Sequence, residues 1–162
     1  MYKMVTVVFL PLCILAILIG GLISAFSARK PTRSTAWVSA YLVLVVGVIQ
    51  LGLVTTWQRI GRPDAAAVSS ALLIYNLGNI GVIIGTFYKL KLKYYRALVN
   101  IGGLFIAIAM ALLLIAARNS RFSMALIEFI VLALIILISM PIGLMLSSRR
   151  HKTLKQVVNK RR

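Results

Sequence analysis

Residues 5–26 read VTVVFLPLCILAILIGGLISAF, a run without a single charge. A bilayer core about 30 Å thick is crossed by about 20 apolar residues of α-helix at 1.5 Å each, so this run is long enough to span it. The alternative is a signal peptide, because Lys3 precedes the run and Ser24, Ala25, Ser27 and Ala28 offer weak cleavage sites. Two features argue for retention. The run exceeds the roughly 7–15 residues of a signal core, and Arg29, Lys30 and Arg33 follow at once, where they would resist translocation. The run is read as a retained first helix.

Four further runs meet the same length, at residues 37–57, 65–88, 97–117 and 124–146. The connections between them hold about six to ten residues, so consecutive helices must be antiparallel neighbours. The predicted fold is an all-α integral membrane protein. Residues 1–146 form a compact bundle of five transmembrane helices, and residues 147–162 form a basic tail.

Composition agrees. The chain is 61% hydrophobic, against roughly 45–50% for a soluble domain. Only Asp64 and Glu128 are acidic, against 19 Lys and Arg, which leaves a net charge of +17 that internal ion pairs cannot balance. An anionic neighbour is required. The basic residues fall in short clusters between apolar runs, which points to lipid headgroups and disfavours nucleic acid. Cys13 is the single cysteine, so an intrachain disulfide is excluded.

Orientation follows from the basic residues on alternate sides. One side holds Lys3, Arg59, Arg62, Arg118 and Arg121. The other holds Arg29, Lys30, Arg33, Lys89, Lys91, Lys93, Arg96 and seven tail residues. The richer side is expected in the cytoplasm, which places the N-terminus outside and the tail inside, in a plasma membrane or an organellar inner membrane. Aromatic rings fit these boundaries, with Trp37, Tyr88, Tyr94 and Tyr95 at the inner interface and Tyr2 and Trp57 at the outer one. Pro63 and Asp64 suit a helix start, and Asp64 is placed to pair with Arg59 or Arg62.

The third run is the least apolar. At about 100° per residue, Ser69, Asn76 and Asn79 share one side, while Ser70, Gly78, Gly81 and Gly85 share the opposite side. Two such stripes give two packing faces, so this helix belongs near the bundle centre. Gly81 and Gly85 have the spacing that lets helix backbones approach closely. On the fourth run Asn100, Gly103, Ala107 and Ala111 share a face of the same kind, and the second contributes Gln50. Pro11 and Pro141 each free a carbonyl one turn earlier and should kink their helices.

Amides in lipid must find partners, and interhelical bonds worth about 0.6–2 kcal/mol suffice to explain Gln50, Asn76, Asn79 and Asn100 as fasteners. The sharper reading is a polar path through the bundle that begins at Glu128. An ionisable group in a span is by default a functional hypothesis. Glu128 lies about one turn from the outer boundary, where Arg118 or Arg121 could pair with it.

At the inner face, Lys89, Lys91, Lys93 and Arg96 alternate with Leu90, Leu92, Tyr94 and Tyr95. The tail sets Leu154, Val157 and Val158 at helical spacing among Arg149, Arg150, Lys152 and Lys155. Both patterns suit an anionic headgroup layer. An acidic partner, RNA included, is the alternative for the tail, by charge alone.

The inventory for chemistry is poor, with one His, one Cys and two distant carboxylates. No cluster has metal spacing, no glycine-rich phosphate loop is present, and no nucleophile has a base within the membrane. Neither an enzyme nor a cofactor is expected. The leading expectation is a non-enzymatic accessory or assembly subunit that packs against other membrane proteins or copies of itself. The alternatives are a small oligomeric transporter or channel using Glu128 and the amides, and an anionic-lipid scaffold.

Overall fold

The computed structural model describes residues 2–29, 32–60, 65–87, 94–118 and 120–139. Every element among them is a helix: α1 Tyr2–Ser27, α2 Arg33–Tyr41, a π-helical segment Leu42–Ile49, α3 Gln50–Ile60, α4 Ala65–Phe87 and α5 Tyr95–Ala117, followed by α6, Met124–Ser139. The π segment joins α2 to α3 without a break, because its flanking residues Tyr41 and Gln50 both keep right-handed helical geometry. The result is four helices long and apolar enough to cross a membrane, Val7–Ser27, Ser34–Ile60, Ala66–Phe87 and Tyr95–Ala117, with α6 shorter. The chain is a helical membrane protein. The last run, expected over 124–146, is helical over Met124–Ser139, and its remainder, with Pro141 and the tail, lies outside the described residues.

Local chemistry sets several boundaries. Thr32 and Thr35 form a reciprocal capping box, in which each hydroxyl accepts the other residue's backbone N–H, at 3.1 and 3.2 Å. This satisfies two donors that a helix start leaves open. The second rod therefore begins at Arg33 rather than at the edge of the apolar run near residue 37. α1 continues through Pro11, in a setting where hydrocarbon offers the backbone no better alternative.

Packing follows the small residues. α4 and α5 make the most extensive helix pair. At their crossing a Cβ on Gly78 would lie 2.6 Å from the Gly102 carbonyl oxygen, and a Cβ on Gly102 would lie 2.6 Å from that of Gly78. The two backbones touch. α1 lies along the second rod, with Gly20 against the Ser39 carbonyl and Gly47 against Ile17. The Ser39 hydroxyl donates to the Gly20 carbonyl at 2.7 Å across the same contact. α6 closes onto α3 through the Trp57 and Phe129 rings, whose centroids are 5.3 Å apart, and through Leu132 over Gly52. One core cluster runs through Leu53, Leu72, Ile106, Met110 and Phe129.

Three expectations need correction. Trp57 is a buried core ring, not an interfacial one, because α6 covers it. Glu128 pairs with Arg59, at 3.2 Å, rather than with Arg118 or Arg121, because the contact between α3 and α6 sets their facing ends side by side. The α5 face expected to pack through Asn100, Gly103, Ala107 and Ala111 is only partly inside: Gly102 and Gly103 are buried, with Gly102 against Gly78, while Asn100 and Ala111 are exposed.

Candidate functional site

The functional candidate is built around the π segment. At about 100° per residue Tyr41 and Gln50, nine positions apart, would point to opposite sides of an α-helix, about 180° apart. In a π-helix the i→i+5 turn advances each residue by only ~82°, which brings the two within about 40°. Burial follows the π register: Tyr41, Val46 and Gln50 are buried while Leu44 and Val48 on the far side are exposed. The wider turn thus aims two polar side chains of one rod into the bundle.

α4 supplies the facing residues. Tyr75 and Asn79, one turn apart, sit on the arc of α4 that meets the second rod. The Tyr41 hydroxyl donates to Asn79 Oδ1 at 2.6 Å, and the Trp37 ring stacks on Tyr41 with centroids 4.7 Å apart, fixing its direction. The Tyr75 hydroxyl donates to the Val45 carbonyl oxygen within the π segment at 2.7 Å.

This layer is buried and incompletely paired. Gln50 is 0% exposed and Asn79 1%, yet Gln50 Nε2, Gln50 Oε1 and Asn79 Nδ2 have no hydrogen-bond partner. Unmade bonds of this kind cost about 1–3 kcal/mol per group, so native proteins rarely carry them without a reason. The π-helix itself is a rare conformation, frequently found at functional sites. No known protein family, curated protein or solved structure matches this chain. Its function must therefore be argued from its own residues.

The other amides stand apart from this layer. Asn76 is half-buried and donates to the Leu72 carbonyl of its own helix at 2.7 Å. Asn100 lies on the outer surface of α5 and has no partner among the described residues. Ala107 is half-buried, and Ala111 is exposed on the same line. The glycine stripe of α4 is used against α5, with Gly85 against Val99 and the Tyr95 carbonyl and Gly81 over Gly102. Among the described residues no three His, Cys, Asp or Glu gather into a metal-binding group.

Glu128 is at the rim. Its side chain is 48% exposed, and that of Arg59, its partner, 63%. A carboxylate so placed ties two helix ends together. Of the basic residues, Arg96 is exposed, with its guanidinium carbon 5.7 Å from the Tyr95 ring centroid. Lys89, Lys91, Lys93, Arg149, Arg150, Lys152 and Lys155, together with Arg62 and Asp64, lie outside the described residues.

Tyr41, Tyr75, Gly102 and the π segment are absent from the sequence reading. Tyr75 with Asn79 had a usable signal, a hydroxyl and an amide one helical turn apart inside an apolar run. The π segment had none, since LVLVVGVI carries neither proline nor a polar residue.

Proposed function

We propose that this chain is a non-enzymatic accessory or assembly subunit that packs within the membrane against a larger membrane protein. The observation that carries the reading is the position of Asn100. It lies about one and a half turns inside α5 on a face that the described bundle leaves open, in line with Leu104, Ala107 and Ala111. An amide facing hydrocarbon is expensive unless another helix bonds it, and small residues beside it let that helix come close. The same face turns inward at Gly103, so it lies at the edge of the bundle, where an added helix would continue the packing. The predicted connections are short, so recognition through a soluble domain has little to act on.

The proposed orientation has the N-terminus outside and the basic tail in the cytoplasm, with Arg96, the 89–93 cluster and the tail against anionic headgroups. Purification in mild detergent followed by mass spectrometry tests the reading. The expected result is a co-purifying membrane protein that is lost on Asn100→Ile with Ala107→Ile. Recovery of a bare monomer, or a complex indifferent to both changes, overturns it. A homo-oligomer seen by native mass would assign the face to a second copy instead.

The transport alternative would run through Glu128, which is half-exposed and paired with Arg59, and its test is a flux measurement.

A further inference from the structure

We propose that the end of the bundle where α1 and α4 finish and α2 and α5 begin is a recognition surface for anionic phospholipid, with headgroups on Arg29, Arg33 and Arg96 and acyl chains on Phe26, Trp37 and Phe87. This surface rests on the headgroup placement proposed above, and it adds which helix ends meet there and which lipid they select.

Three contacts gather the helix ends. The Ser34 hydroxyl, at the start of α2, donates to the Thr86 carbonyl oxygen in the last turn of α4 at 3.2 Å. Gly85 stands against the Tyr95 carbonyl, where α5 begins. Residues 28–32 join α1 to α2, and the two helices stay in contact through Gly20 and Ser39. Two connections far apart in sequence therefore lie at one end of the bundle. From Ala28 to Arg33 and from Tyr88 to Arg96 they hold seven Lys and Arg and no Asp or Glu. Both acidic residues of the chain belong to the opposite end, Asp64 immediately before α4 and Glu128 near the start of α6. No acidic side chain of the chain is placed to neutralise the gathered cations, so their counter-charge must come from outside.

Depth makes that counter-charge a lipid. These are the ends of helices long and apolar enough to cross a membrane, and Arg29 and Arg96 are both exposed there. Basic side chains at such a position keep their charge among the headgroups while their stems lie along apolar surface. Phe26 and Trp37 are exposed one turn further in, and Phe87 is exposed at the end of α4. Acyl chains cover such a band, and a soluble anion does not. Every phospholipid carries a phosphate, but a zwitterionic headgroup brings a cation of its own into a field of seven positive charges. A net-anionic headgroup does not, and that difference is the source of selectivity.

The test uses the full chain carrying Trp57→Phe, which leaves Trp37 as the single tryptophan and a reporter on this surface. It is reconstituted in mixed vesicles of phosphatidylcholine and phosphatidylglycerol, with one or the other lipid brominated high on its acyl chains. Quenching of Trp37 then gives the relative association constant of the two lipids. The expected result is a preference for phosphatidylglycerol of about two- to fivefold, the upper figure corresponding to one fully engaged guanidinium. It should fall towards one with Arg29→Gln and Arg33→Gln, and in about 1 M salt, where the screening length is about 3 Å. Equal quenching by the two lipids overturns the proposal. So does a preference that survives both substitutions, which would assign the charge to the tail and leave the general headgroup placement standing. A chain lacking both native tryptophans and carrying Phe122→Trp reports the opposite end, and a preference there as large as at Trp37 would equally overturn a surface confined to this end. No partner subunit enters the measurement, so co-purification tells the failure of this surface apart from that of the assembly reading.

Discussion

The Tyr41 hydroxyl donates to Asn79 Oδ1 across 2.6 Å and so joins the second rod to α4 deep within the bundle. Its value is set by what happens when one partner is removed. Tyr41→Phe leaves both Asn79 amide atoms without a partner, at an expected cost of about 1–3 kcal/mol for a buried group, nearer the lower end inside a membrane. Tyr41→Phe with Asn79→Leu removes both polar groups and should cost less than the sum of the two single changes. Thermal unfolding of the four proteins in mild detergent measures this coupling. Strict additivity would mean that the bond contributes nothing.

The contact between α4 and α5 makes a graded prediction. An alanine Cβ at Gly78 or Gly102 would fall 2.6 Å from a backbone oxygen on the other helix, which cannot yield as a side chain does, whereas at Gly81 the nearest atom is 3.4 Å away. Gly78→Ala and Gly102→Ala should therefore each destabilise by about 1–3 kcal/mol or more as the helices are forced apart. Gly81→Ala should be nearly neutral. Gly21, with nothing within 4 Å of its Cβ position, is the control, and Gly21→Ala should leave the melting temperature unchanged or slightly raised.

Trp57 separates ring packing from indole polarity. Its ring is buried against Phe129, and its Nε1 has no hydrogen-bond partner. Trp57→Phe keeps an aromatic ring and removes the unpaired donor, so the loss of volume is partly offset and the net change should stay within about 1.5 kcal/mol. Trp57→Ala opens a cavity between α3 and α6 at about 3–5 kcal/mol. Equal losses for the two variants, read by chemical denaturation in detergent, would show that the indole N–H and not the ring is what matters.

These residues also show what a sequence can reveal about such a fold. Apolar run length sets the helices, because a bilayer imposes one dimension on every span, and the runs at 65–88 and 97–117 match α4 and α5 within a few residues. Stripes of small residues name faces but not partners: Gly78 and Gly85 share a face by helical angle, yet which α5 residues they meet, Gly102 for one and Val99 for the other, depends on a rotation that only packing fixes. Gln50 shows the harder limit. Its burial depends on a change of helical pitch upstream, and aliphatic residues fit an α-helix and a π-helix equally well. Trp57 illustrates a third limit, since an aromatic ring near a span's end reads as an interfacial anchor until a neighbouring helix covers it.

The Arg59–Glu128 pair yields the last prediction, and it bears on function. The two side chains are 63% and 48% exposed, with Arg59 Nη1 3.2 Å from Glu128 Oε2. Pairs exposed to this degree contribute about 0.2–1 kcal/mol and weaken with salt. Glu128→Gln should therefore lower stability only slightly, less at high ionic strength, and the reversed pair Arg59→Glu with Glu128→Arg should recover most of the loss. A proton- or cation-coupling carboxylate would behave otherwise, because reversing the pair would rebuild the tie and still abolish coupled flux. If liposomes containing the native chain show an ion flux that both Glu128→Gln and the reversed pair eliminate while the fold survives, Glu128 is a coupling group and its pairing with Arg59 is one state of a working cycle. Absence of such a flux, with stability restored in the reversed pair, makes the two residues a clasp that holds the end of α6 to α3 and keeps Trp57 and Phe129 packed beneath it.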